Sequence, residues 1–255
     1  MCTNKDQGRI TILYETDYFA DSLKTVIAEV VKKYDSAYML PYDTLKIRDT
    51  VIYSSENNGL PSITQARTFG TTIKVNKLTA LNPLKFVPLE KKYVRDLIAH
   101  ELFHSLKPKE RRLLTKPIET GWTGSHSKFM ICHGLNLGYH LRDEGGGFPL
   151  FEEASAELFA QNLYSDFEPS SDYFPIGKLL AVILDNTNLD FEDIIVATKT
   201  NNFELIVSWV YDKPINHLRR DDYIFLTHTF VHYMRHPEKD PSIFPSELKT
   251  FLASY

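Results

Sequence analysis

The chain has 255 residues and a net charge of −4, with 43% hydrophobic and 13% aromatic residues. That composition predicts one large domain or two lobes with a sizeable core and argues against extensive disorder. No basic block is interleaved with aromatics, so nucleic acid is a poor partner, and the longest aliphatic run, Leu179 to Leu184, is far too short to span a membrane.

In chain order, Met1 to Asp6 is polar and carries no signal peptide as written, and Cys2 and Cys132 do not make a disulfide framework. The expected location is the cytoplasm. The minor alternative is an exported lipoprotein in its mature form, with Cys2 at its start. Arg9 to Tyr14 reads as a strand, and Phe19 to Tyr34 as a helix with Leu23, Val26, Ile27, Val30 and Val31 on one side. Leu45 to Tyr53 reads as a second strand and residues 69–76 as a third. A helix follows from about Lys91 to Leu106, stopping before Pro108. Residues 107–127 read as a loop or short helix over the cleft. Phe129 to Leu141, carrying His133 and His140, reads as one or two strands. From Pro149 onward the pattern is helical: 149–164, 175–186, 190–199, 202–211 and 222–235. The expectation is an α+β fold in one domain over 1–255. An N-terminal α/β lobe (about 1–110) with a mixed or antiparallel sheet is joined by a loop/strand segment, 111–148, to a helical lobe, 149–255. The cleft between the lobes would hold the functional residues.

The helix ending at Leu106 contains His100-Glu101-Leu102-Phe103-His104, a His-Glu-x-x-His sequence. Two histidines four residues apart on a helix are turned by only about 40° from each other, so their rings converge. Imidazole is a good Zn2+ ligand at neutral pH, and Glu101 is placed to take a proton from a metal-activated water rather than to bind the metal. The bland alternative is an amphipathic helix with two satisfied histidines and a surface Glu.

A catalytic zinc needs a third protein ligand. A third His soon after the motif, as in metzincins, is missing from Lys107-Pro108-Lys109-Glu110. Downstream, Gly145-Gly146-Gly147 and Pro149 announce a helix start, and that helix carries Glu152, Glu153 and Glu157. If Glu153 binds, Glu157 lies one turn later on the same face and can accept the free ring N–H of a ligand His. If Glu152 binds, the residue one turn on is Ala156 and that support is lost. Glu153 is therefore the expected ligand and Glu157 its support. The alternative is that all three are ordinary solvated charges. His133 and His140 are rival ligands, though a strand His is more often structural.

These two segments resemble the gluzincin, or thermolysin-like, zinc metallopeptidases. In that group a ligand Glu is followed four residues later by an Asp; Glu153-Ala154-Ser155-Ala156-Glu157 has Glu there, one methylene longer. The resemblance covers about residues 70–165 and implies a zincin-like fold, hydrolysis of a peptide or protein substrate, Zn2+ as cofactor, and an edge strand that pairs with the substrate backbone. Thr68 to Asn76 could be that edge or a plain structural strand. It also implies a His or Tyr that stabilises the oxyanion; Tyr173 ranks ahead of Tyr223 and His217. Separately, His228, His232 and His236 recur every four residues opposite the stripe of Tyr223, Leu226, Phe230 and Met234, as a solvated or cleft-lining face or a second metal site. The rival readings are a peptide- or protein-binding module with a structural or silent metal site, and an immune or toxin-type protease acting on one protein.

Overall fold

The computed structural model describes residues 9–15, 20–50, 53–55, 61–63, 66–76, 91–108, 112–113, 130–133, 135–141, 144–148, 150–168 and 173–253. The fold is mixed α+β and predominantly helical. The chain divides into two compact units, residues 1–106 with 162–168, and residues 107–161 with 169–255.

In the first unit, β1 (Thr11–Tyr14), β2 (Thr44–Thr50) and β6 (Thr72–Asn76) run parallel, and β5 (Ala66–Phe69) pairs antiparallel with β6 at the edge. Alternation builds the core: Ile12 and Tyr14, Leu45 and Ile47, and Ile73 and Val75 are buried two residues apart on their strands. Helix α1 (Asp21–Tyr38) follows β1 and covers this unit's core with Leu23, Ile27, Val30, Val31 and Tyr34. The Tyr14 hydroxyl donates to the Lys24 carbonyl at 3.0 Å, pinning β1 to the helix. Helix α1 packs against α2 (Lys91–His104), whose buried stripe is Val94, Ile98, Ala99, Leu102 and Phe103. Each fully buried Val, Leu, Ile or Phe side chain among these contributes about 1.5–3 kcal/mol. A short antiparallel pair, β3 (Tyr53–Ser55) with β4 (Pro61–Ile63), completes the unit's described strands.

Two strand expectations are corrected here. The run 68–76 is a hairpin rather than one strand: Phe69 pairs with Thr72, and Gly70, at φ +57°, turns the chain between them. A two-residue hairpin loop needs positive φ at its first position, which glycine adopts without penalty. The strand expected from Leu45 to Tyr53 ends at Thr50, and Tyr53 belongs to β3. Helix α1 runs one turn beyond Tyr34 because Tyr38 continues its face, packing edge-on to Tyr34 at 5.0 Å.

In the second unit, β7 (Arg112–Leu113), β8 (Met130–His133), β9 (Asn136–Leu141) and β10 (Glu144–Phe148) form an antiparallel sheet in the order β10-β9-β8-β7. The glycines of β10, expected as a loop before a helix, instead pair with Gly138, Tyr139 and His140. Glycine lacks a side chain but keeps both ladder groups, and the edge position tolerates its weak strand preference. Six helices follow: α3 (Leu150–Leu163), α4 (Phe174–Asn186), α5 (Phe191–Lys199), α6 (Phe203–Tyr211), α7 (Arg220–Arg235) and α8 (Phe244–Ala253). Phe151 of α3 meets Phe203 of α6 at 5.6 Å and Phe230 of α7 at 5.1 Å, and Phe159 meets Phe191 of α5 at 4.8 Å. Helix α5 starts with a reciprocal cap between Asp190 and Asp193. Helix α8 went unanticipated, although Phe244, Leu248, Phe251 and Leu252 have helical spacing. Among the described residues, no helix is long and apolar enough to cross a membrane.

Candidate metal centre

Helix α2 is held at its C-terminal end by a tight turn. The Ser105 N–H donates to the Leu102 carbonyl at 3.1 Å and the Leu106 N–H to the Phe103 carbonyl at 3.0 Å, a 3-10 finish that satisfies otherwise orphaned carbonyls. The Ser105 hydroxyl donates to the Leu102 carbonyl at 2.7 Å, so the Tyr42 hydroxyl, 2.7 Å from Ser105 Oγ, is the donor there. Burial pushes the Tyr42 phenol well above its ordinary range, keeping that proton in place.

One turn back, the Nε2 atoms of His100 and His104 lie 3.2 Å apart with ring planes at 64°. Two nitrogens at ordinary zinc–imidazole lengths around a tetrahedral ion stand about 3.3 Å apart. The helix alone therefore presents a two-nitrogen donor pair at the spacing such an ion requires. Glu101, between them in sequence, is 5% exposed. Its Oε2 accepts a hydrogen bond from the Thr68 hydroxyl of β5 at 2.6 Å; the same hydroxyl lies 3.0 Å from the Glu101 carbonyl oxygen.

On α3 the neighbouring carboxylates have different surroundings. Glu152 is 2% exposed and accepts from Lys107 Nζ at 2.5 Å, which occupies it with an ammonium. Glu153, one residue and about 100° further round, is half-buried. Glu157 is buried, and Gly177 of α4 lies beside it: a Cβ there would stand 3.9 Å from the Glu157 Cβ. The ligand atoms of His100, His104 and Glu153 all lie within 4.8 Å of one another, a group that could hold a metal ion. Two imidazoles and one carboxylate are a suitable donor set for zinc and leave a coordination position over. Among the described residues, no other group of three or more His, Cys, Asp and Glu is so arranged.

No protein-family model, curated protein or solved structure matches this chain.

The other expected residues are scattered. Tyr173 is half-buried at the start of α4, where its carbonyl accepts the Gly177 N–H at 2.9 Å. Tyr223 is buried in the first turn of α7, and His217 is exposed in the 3-10 turn Ile215–His217. His228, His232 and His236 are exposed on or next to α7, while Tyr223, Leu226 and Phe230 are buried, as the periodicity predicts. Residue Cys2, the stretch 114–127 and the side chains of Cys132, His133 and His140 lie outside the described residues.

Thr68 and Lys107 escaped the sequence reading. The signal for Thr68 was a polar residue two positions after buried Ala66, on the strand face that carries a core residue. Which carboxylate it would meet was not legible, because strand and helix are 33 residues apart.

Proposed function

We propose that this chain is a zinc-dependent metallopeptidase of the gluzincin kind, with a zincin-like fold. The observation carrying the reading is the gathering of His100, His104 and Glu153, with Glu101 on the same helix as the two histidines. His100, His104 and Glu153 would hold the ion, and Glu157, buried one turn beyond Glu153, would orient a ligand imidazole. When bound, zinc would supply a Lewis acid that acidifies water and polarises the scissile carbonyl. Glu101 takes the proton of the attacking water and returns it to the departing amine. Strand β5, last in its sheet among the described residues, is the candidate edge for pairing with an extended substrate. Tyr173 is the first candidate for steadying the developing oxyanion, followed by Tyr223 and His217. The substrate is a peptide or protein.

The test is mass-spectrometric profiling of a diverse peptide mixture with wild type and Glu101→Gln, with the zinc content of both measured. The expected result is cleavage by wild type, a loss of about 10²–10⁴-fold in Glu101→Gln, and equal zinc in the two. Undiminished cleavage by Glu101→Gln would overturn the role of Glu101. Cleavage by neither protein, with zinc retained, would replace the peptidase with a binding module whose metal is structural or silent.

A further inference from the structure

We propose that Thr68 is a positioning residue for Glu101: its hydroxyl fixes the rotation of the carboxylate that acts as the proton acceptor. The inference deepens the peptidase reading and rests on it for its kinetic part.

The Glu101 side chain is 5% exposed, and among the described residues the Thr68 hydroxyl is its one hydrogen-bond partner, 2.6 Å from Oε2. A carboxylate at the end of a three-torsion side chain sweeps a wide arc unless something holds it, and a general base must stay within hydrogen-bond reach of the proton it takes. A bond from a neutral donor to an ionised oxygen is among the stronger hydrogen bonds and becomes more so when shielded from water. Because it engages Oε2, it leaves Oε1 as the oxygen that can face the substrate water.

Thr68 is itself well held. It lies on β5 opposite Ile73 of β6, so its backbone is fixed by the hairpin that Gly70 closes. The second acceptor within its reach is the backbone carbonyl of the same Glu101, at 3.0 Å. Both acceptors within reach of the hydroxyl therefore belong to one residue, which ties this position of the strand to Glu101 of α2. This is what a positioning contact requires and what general packing of strand on helix does not. The same strand stands last in its sheet among the described residues. A peptide that pairs with β5 is thereby placed by the element that also places the base.

The experiment compares Thr68→Val, which removes the hydroxyl at nearly constant shape, with Thr68→Ser, which keeps it. The probe is the fastest-cleaved member of the peptide mixture, resynthesised as an internally quenched fluorogenic peptide. Thr68→Val should lower kcat about 10–100-fold with KM within about twofold and zinc content unchanged, and Thr68→Ser should recover most of kcat. Unchanged kcat in Thr68→Val, or equal loss in Val and Ser, would overturn the proposal. Thr68→Ala, which needs no new contact, replaces Val if Val does not fold. A double-mutant cycle of Thr68→Val with Glu101→Ala in chemical unfolding reads the contact without any substrate. The expected result is that removing Thr68 costs little once Glu101 is gone. Additive losses would overturn the contact. A coupled pair in a protein that cleaves nothing would leave Thr68 as the residue that fixes Glu101 and remove the peptidase reading alone.

Discussion

Glu152 and Glu153 are adjacent in the chain, and the helical turn of about 100° between them gives them different surroundings. Glu152 sits in a buried pair with Lys107, whose side chain is 16% exposed against 3% for the carboxylate. Removing one partner of such a pair leaves the other charge stranded, so Glu152→Ala is expected to destabilise the protein by about 3 kcal/mol while leaving zinc affinity nearly intact. Glu153→Ala should do the reverse. Its stability without metal should be close to wild type, and its zinc affinity should fall by more than the roughly 10–100-fold that loss of an outer partner such as Glu157 costs. Denaturant unfolding of the metal-free proteins and zinc titration against a competing chelator separate the two. If the Glu152 variant is the one that loses zinc, the ligand assignment is reversed. The spacing of Glu153 to Glu157 was readable in the sequence. The ammonium that occupies Glu152 was not, because its source lies 45 residues away.

At the scale of the element, helix α2 carries the two histidines while its own outer face is largely charged. Arg95, on that helix, is bound at 2.9 Å and 3.0 Å by both oxygens of Asp166 and lies over the ring of Tyr164, 4.6 Å from its centre. The Arg95 guanidinium holds the Asp166 carboxyl below its ordinary value. A carboxylate with a lowered folded pKa contributes stability above its unfolded pKa, and that contribution is lost as pH falls through the folded value. Asp166→Asn should therefore be less stable than wild type near neutral pH, by a small margin because the pair is solvent-screened, and the difference should vanish as pH falls below about 4. Unfolding midpoints measured across that range check it; a gap that persists in acid would point to packing rather than charge. The helix itself was legible because Val94, Ile98, Leu102 and the flanking Ala99 and Phe103 repeat at helical spacing. The hairpin of β5 and β6 was read as one strand because Thr68, Phe69, Thr72 and Ile73 share one β-prone composition. Only the glycine between them marks the turn.

Across the whole molecule, the α+β character and, among the described residues, every long helix up to α7 were visible as periodic burial, since a helix buries its face wherever it packs. Strand β10 was hidden, because its pairing with β9 is a backbone interaction that leaves no side-chain pattern in Gly145, Gly146 and Gly147. The same division holds for the metal group. The pair on α2 was fixed by local geometry, whereas Glu153, 49 positions beyond His104 in the sequence, was reached only by weighing it against Glu152. Donors so far apart in sequence are not preassembled in an unfolded chain, so a metal held by all three should act as folding free energy. At free zinc about 1,000 times the dissociation constant the native state gains about 4 kcal/mol, which for a chain of this length raises the unfolding midpoint by about 8–16 °C. The shift between zinc-loaded and chelator-treated wild type is the observable, read by scanning calorimetry. It should be absent in His104→Ala and intact in His232→Ala. A shift that survives in the first variant and disappears in the second would move the metal to the exposed histidine row of α7 and remove the ground for a catalytic zinc on α2.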